Sequence, residues 1–364
     1  MKATAAVLGL VALLAALATA SPVRRAESVN AKRCPDNMQP SAEEEARIAA
    51  GFKELDDAFR FARGHADDRR YVNEVLDFYT HYQWHIPINY WVITDAAGNN
   101  NVTEQMLEDQ TTVMTDSYMG TRETKSRRMS FYTNEITYIA NDIALSKCNY
   151  DDYEVLISGL VGENFDTTTA MQVVLCPLGG GLLGFSPFNF WFSDGSPLWT
   201  NFIHSESVPG GDFSPYDEGK TLVHEAGHHF GLLHTFQDGC TRVNDGMRDT
   251  PAVAEANFGC PNQGSVDSCP DLRGFDDVRN FMDYVDDACM DRYSYKKCML
   301  HVCLVLETNV FACVRACVCV CVCACVHVCV CACVRSCWFR SREERGGGGR
   351  TTLRRQRGEG ETSP

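Results

Sequence analysis

The sequence predicts an α/β (α+β) fold: a mixed twisted sheet layered with helices in an upper subdomain, followed by a loop-rich, disulfide-bonded lower subdomain. Three observations lead there. β-branched and aromatic runs alternate with helical segments between residues 86 and 176. A helical stretch carrying His224 and His228 is stopped by Gly231, and four cysteines, Cys240, Cys260, Cys269 and Cys289, then follow in a stretch with few signs of regular structure. The 364 residues could hold one large domain or two small ones, with ample apolar content for a core.

Residues 1–20 read as a secretory signal. Lys2 precedes an apolar run from Ala3 to Ala18, and Ala18-Thr19-Ala20 before Ser21 is an A-x-A cleavage site, too short a segment to span a membrane. The chain is therefore expected to be secreted and extracellular, where cysteines can pair and Asn101-Val102-Thr103 is a candidate glycosylation site at Asn101. Residues 21–80 read as a helical pro-segment. Ser41 and Glu44 form a capping box, Ile48, Phe52, Leu55 and Phe59 follow at helical spacing, and Tyr71 to Tyr79 reads as a second short helix.

Residues 81–300 are expected to form the main domain. Ile86 to Thr94 reads as its first strand, Thr103 to Tyr118 as a helix stopped by Gly120, and Met129 to Asn141 and Ala170 to Cys176 as further strands. Pro177 to Phe185 fits an irregular loop running into an edge strand, whose free backbone groups could pair with a peptide, or a short strand packed in the core.

His224-Glu225-Ala226-Gly227-His228-His229-Phe230-Gly231-Leu232-Leu233-His234 reads H-E-x-x-H-x-x-G-x-x-H. On a helix, His224 and His228 project from one face, as two ligands of a single metal must. Gly231 lets the chain turn sharply and return His234 as a third ligand. Three histidines leave one position open, unlike a structural zinc site closed by four protein ligands. Glu225, beside the first ligand, is placed to act as general base on a metal-bound water. His229 points elsewhere on the helix, to packing or to the surface.

Residues 301–364 fit none of this. Of 19 cysteines, seven lie between Cys34 and Cys289 and twelve between Cys298 and Cys337. The alternation from Cys317 to Val326 is what a GT dinucleotide tract encodes, so the segment reads as translated repeat rather than a folded domain. Ala316 to Val334 could instead be a membrane anchor, or the thiols a metal cluster, and the Arg/Gly-rich end from Arg340 reads as unstructured. A net charge of −15 argues against nucleic acid as a partner.

The motif, together with Gly181 to Phe188, Pro209 to Gly211, Glu218 to Leu222, Asp249 to Pro251, Cys260-Pro261 and Asn280 to Tyr284, resembles the metzincin metallopeptidases and, among them, the pappalysin-like family. The resemblance covers about residues 85–300. It implies a metzincin-like zincin fold, one catalytic Zn²⁺ and protein or peptide substrates; the chain is expected to act as a monomer. It makes Met282 the floor of the methionine turn beneath the metal and Tyr284 a candidate hydrogen-bond donor to the oxyanion. It suggests the pairs Cys240–Cys269 and Cys260–Cys289, and places Asp245, Asp249 and Thr250 near a structural Ca²⁺, for which hard oxygen donors are suited. The acidic run Asp283, Asp286 and Asp287 is expected to favour basic side chains after the cleaved bond.

Cys34, in Lys32-Arg33-Cys34-Pro35, has two readings: a thiol that fills the open metal position of a latent precursor, or a disulfide with Cys148 or Cys176. The family would continue past Tyr293 to Cys298 into a closing helix, where this chain turns to the repeat. The competing functional class is a non-catalytic secreted or membrane-anchored zinc-binding protein with a relic site, against which the intact Glu225 argues.

Overall fold

The computed structural model describes residues 33–35, 41, 84–99, 101–119, 129–160, 165–188, 191–192, 195–247 and 249–294. The signal segment, both pro-segment helices and the 301–364 tail lie outside the described residues. The chain divides after Asn30, and all described residues belong to the second unit, Ala31–Pro364.

Five strands form one sheet: β1 (Trp84–Thr94), β2 (Met129–Ala140), β3 (Met171–Cys176), β4 (Gly184–Phe185) and β5 (Asn201–His204). Their spatial order is β2-β1-β3-β5-β4. β1 pairs in parallel with β2 and β3, and β3 with β5, while β4 runs antiparallel to β5 and forms the outer edge. The sheet is therefore mixed, as the alternating pattern predicts. β1 is an interior strand, and its second half is buried on both faces. Its side chains alternate between two cores: Ile88, Tyr90 and Val92 join one cluster, and Trp91 and Ile93 the other. The β1–β2 register slips at Ile88/Asn89, where Asn134 Nδ2 donates to Asn89 Oδ1 at 2.8 Å.

Helix α1 (Glu104–Met119) starts where Thr103 Oγ1 accepts the Met106 N–H at 3.3 Å. Its buried face carries Leu107, Met114 and Tyr118, with Met106 and Val113 half-buried at its margin. Its buried polar residues brace the fold: Thr111 meets Tyr90 Oη at 2.9 Å, and Gln110 Nε2 donates to the Gly219 carbonyl. Two short helices, α2 (Asp142–Ser146) and α3 (Tyr153–Leu160), were not expected from periodicity. Asn141 Oδ1 caps α2 by accepting the Ile143 and Ala144 N–H groups.

Helix α4 (Lys220–His229) is buried from Thr221 onward. Its end is built by the residue types that the sequence displays there. Gly231 takes a left-handed φ of 81°, its N–H donates to His228 O at 2.8 Å, and the Leu232 N–H returns to Gly227 O at 2.9 Å. The expected sharp turn is present. Beyond it, residues 231–294 carry only a 3-10 turn and one isolated bridge, Asn280 to Arg292. Disulfides Cys240–Cys269 and Cys260–Cys289 cross this loop-rich half, and Cys148–Cys176 ties the turn after α2 to β3.

Two buried histidines set the acid limit of this fold. Burial holds His204 down at about 4 and His229 at about 3. Both are neutral in the native and unfolded chain above pH 6.5. Below it the unfolded chain takes up protons that the native one refuses, so each costs about 1.4 kcal/mol of stability per pH unit. His204 Nδ1 accepts the Glu206 N–H at 3.1 Å, a bond that an asparagine side chain can imitate. Urea unfolding should therefore show His204→Asn losing about 2 kcal/mol less than the parent chain between pH 7 and 5. Equal losses would contradict this assignment.

Candidate metal centre

Three imidazole nitrogens converge. His228 Nε2 lies 3.2 Å from His224 Nε2 and 3.0 Å from His234 Nε2. His224 and His228 come from one face of α4, and the Gly231 turn brings back His234. Both helical rings are fixed from behind: His224 Nδ1 contacts Phe281 O at 2.6 Å and His228 Nδ1 contacts Leu232 O at 2.7 Å. A carbonyl can only accept, so each Nδ1 carries the proton and each Nε2 turns a lone pair inward. Burial first, then the neighbouring His228 and His234, holds His224 well below its usual value, in the neutral form a ligand needs.

Zinc would fit this donor set. Ligands placed tetrahedrally at 2.0–2.1 Å from a metal stand roughly 3.3 Å apart, close to the spacings here. Facing lone pairs in a buried site are unfavourable without a cation between them. Cys34 Sγ supplies a fourth donor 3.4 Å from His224 Nε2, and the four ligand atoms lie within 4.8 Å of one another. Cys34 is buried and unpaired, because Cys148 and Cys176 have bonded to each other. Of the two readings of Cys34, this geometry matches the thiol facing the metal position.

Glu225 is fully buried beside this cluster, with Cys34 Sγ 3.7 Å from both its oxygens. Burial pushes its carboxyl well above the usual range, a partial offset coming from Arg33. The carboxylate therefore has high proton affinity. It packs on the edge strand: a Cβ at Gly184 would stand 2.8 Å from Glu225 Cγ and 2.9 Å from Oε1. Only glycine leaves that room.

Met282 is wholly buried in a turn in which Asn280 Oδ1 accepts the Met282 N–H, and the Asp283 N–H returns to Asn280 O. Its sulfur lies so close to Gly227 that a Cβ there would overlap it, which accounts for glycine inside the helix. Tyr284 Oη sits 3.3 Å from His234 Nε2 and accepts the Cys34 N–H at 3.3 Å. Burial, and then Cys34 and Glu225, push its hydroxyl well above 10, so it stays a proton donor.

The acidic run separates in space. Asp287 pairs with Arg33 at 2.7 Å, neither side chain having exposed surface, while its other oxygen accepts the Glu218 and Lys220 N–H groups. Asp283 instead turns away from Arg33. It accepts from Asn257 N and Nδ2 at 2.9 Å and from Tyr284 N at 2.8 Å, and burial pushes it up to about 6. Adjacency in sequence thus misplaced Asp283 among the groups facing a basic side chain. Asp286 is half-buried and tied through its N–H to Gly259 O. Sequence reasoning also missed Gly184 and the seat of Arg33, for which a basic residue beside the metal-facing cysteine was the available signal.

Of the candidate calcium ligands, Asp249 Oδ1 accepts from Ser294 Oγ at 3.1 Å and Thr250 Oγ1 lies 3.5 Å from the same hydroxyl. Asp245 is buried with Oδ1 receiving the Met247 N–H. Asn101 is exposed, with Nδ2 3.3 Å from Glu206 Oε1. His229 is buried and stacks on Trp199 at 4.3 Å, so of its two expected settings it takes packing.

Residues 212–302 match the model of the peptidase family described as pregnancy-associated plasma protein-A. An extracellular metalloprotease of Verticillium alfalfae is 41% identical over 127 residues, covering 34% of this chain and 45% of that protein. The chain thus spans less than half the length of that relative. A second extracellular metalloprotease of the same organism is 33% identical over 210 residues, 55% of this chain and 68% of its own length. Mature mirolysin of Tannerella forsythia, solved with a cleaved peptide, superimposes with a TM-score of 0.54 at 22% identity, covering 64% of this chain and 97% of that one, and so shares the metzincin-like fold. A third of its residues identical across two-thirds of a whole relative, on a metzincin-like sheet and three convergent histidines, make this chain a member of the pappalysin-like family of metalloproteases.

Proposed function

We propose that the chain is a secreted zinc-dependent endopeptidase, made as a precursor in which Cys34 covers the metal. The observation that carries this is the set of inward-facing Nε2 atoms at 3.0–3.2 Å with Glu225 buried beside them. His224, His228 and His234 would hold one Zn²⁺, with Cys34 as fourth ligand in the latent chain. When bound, zinc supplies a Lewis acid that polarises the scissile carbonyl and acidifies water.

The protein's own groups do the rest. Glu225, with its high proton affinity, takes a proton from water and passes it to the departing nitrogen. Tyr284 Oη donates to the oxygen that gains charge. Edge strand β4 binds the substrate main chain, and Gly184 N already donates to Arg33 O at 3.1 Å. Asp287, held by two backbone N–H groups, receives a basic side chain after the cleaved bond in the pocket that Arg33 fills in the precursor. Asp245, Asp249 and Thr250 are candidate ligands of a structural Ca²⁺. The buried, unpartnered Thr235 Oγ1 and Asn244 Oδ1 nearby offer the hard oxygens such an ion takes. Asn101, exposed beside the α1 cap, is the proposed glycan acceptor. Among the described residues no helix is long and apolar enough to cross a membrane.

Casein hydrolysis by the activated protein tests the reading. Activity is expected to vanish with a chelator, return on adding zinc, and be lost in Glu225→Ala. Hydrolysis that survives either treatment would overturn the proposal.

A further inference from the structure

Phe258 is a large apolar side chain left in water, with 41% of its surface exposed, and it stands at the metal site. Its ring centre lies 6.1 Å from that of Tyr284, at 62°, and Tyr284 lies 5.1 Å from His234. Phe236 completes the row. It stacks on His234 at 4.8 Å with 8° between the planes, and meets Tyr284 edge-on at 5.0 Å. Phe236 is half-buried and Phe258 exposed, so the aromatic surface runs from the third metal-facing histidine out to solvent. The backbone around Phe258 is tied down on both sides. Before it, Asn257 donates through N to Asp283 Oδ1 and through Nδ2 to Asp283 Oδ2, each at 2.9 Å. After it, Gly259 takes a left-handed φ of 69°, its carbonyl accepts the Asp286 N–H at 2.9 Å, and Cys260 is joined to Cys289. These anchors all belong to residues 283–289, the segment that also carries Tyr284 and Asp287. Single exposed apolar side chains are ordinary. One that is held in line with the metal-facing histidines is not.

We propose that Phe258, with Phe236 across Tyr284, forms the wall of a second substrate subsite, which takes a large apolar side chain on the residue before the cleaved bond. The proposal deepens the endopeptidase reading and rests on it. Tyr284 fixes which residue is met. Its hydroxyl serves the carbonyl oxygen under attack, that oxygen belongs to the residue before the bond, and Phe258 is the ring that continues from Tyr284 toward solvent. The basic residue after the bond sends its side chain to Asp287, which has no exposed surface. Neighbouring side chains of an extended peptide face opposite ways, so the preceding residue points away from that closed pocket and meets an open wall instead. Covering one side of an apolar side chain removes part of its surface from water, and tilted rings favour an aromatic partner further.

The test compares kcat/KM of the activated chain on two peptides that share Arg after the scissile bond and carry either Phe or Ala before it. The parent is expected to favour the Phe peptide about tenfold, and Phe258→Ala to bring the ratio within about twofold of parity. Phe258→Leu, which keeps an apolar wall but loses the ring, should fall between the two. A ratio is the right readout, because a general loss of fold or of zinc lowers both rates together and leaves it where it was. A Phe258→Ala chain that keeps the parent's ratio overturns the subsite. Cleavage of both peptides at equal rates by the parent also sinks the subsite, and leaves the endopeptidase reading standing. Failure of the zinc-loaded parent to cleave either peptide removes that reading and the subsite with it.

Discussion

Glu225→Ala is expected to lower kcat/KM for peptide hydrolysis by about three orders of magnitude, within the range of general acid–base contributions. The magnitude follows from the setting of the group. Glu225 has no exposed surface, and that burial pushes its carboxyl well above the usual range, so it binds a proton more tightly than an exposed glutamate does. Deleting a desolvated acid does not cost the fold an ion pair, and the variant should be at least as stable as its parent. Its metal content should also be unchanged, because the Phe281 and Leu232 carbonyls, not Glu225, orient the histidines. Loss of activity in a folded, metal-loaded variant identifies the base; activity within tenfold of the parent would assign the proton transfer elsewhere.

Gly184→Ala should cost about a hundredfold in kcat/KM, through misplacement of the same carboxylate. The added Cβ would lie 2.8 Å from Glu225 Cγ and 2.8 Å from the Phe202 carbonyl of β5. Real Cβ atoms do not approach so closely. The Phe202 carbonyl can be cleared only by shifting β4 against β5, and the Glu225 side chain must swing away as well. The positive-φ glycines do not include Gly184, so the penalty is steric contact and not backbone strain. Zinc content is expected to hold, since the three atoms nearest the new methyl belong to Glu225 and Phe202 and not to a histidine. Full activity in this variant would mean that the carboxylate does not rest on the edge strand.

The histidine triad was legible because a helix of period 3.6 and a left-handed glycine leave few ways to place His224, His228 and His234. β1 was legible from its run of β-branched and aromatic residues, and α1 from its helical spacing and the stop at Gly120. β5 was not. Four residues, Asn201 to His204, buried on both faces, carry no alternation to read. α2 and α3 were also too short for a period, although Asn141 before Asp142 was a cap that could have disclosed the first. The two lower disulfides agreed with the resemblance, whereas the state of Cys34 was undecided until the fold brought Cys148 to Cys176. Asp283 and Asp287 show the limit of reading a charged run. Four residues apart, they face different elements because Asp283 closes the tight turn that begins at Asn280 and Asp287 opens the 3-10 turn that ends at Cys289, and only the three-dimensional path gives Asp287 to Arg33 and Asp283 to Asn257.

The central claim is that three imidazoles beside Glu225 hold one zinc ion. Anomalous diffraction at the zinc edge from crystals of the full-length precursor tests it most directly. One strong peak is predicted about 2.0–2.1 Å from the Nε2 atoms of His224, His228 and His234, with Cys34 Sγ closing the shell at about 2.3 Å. Absence of a peak there from zinc-containing protein, or a peak held by other residues while these three rings stand apart, would contradict the account.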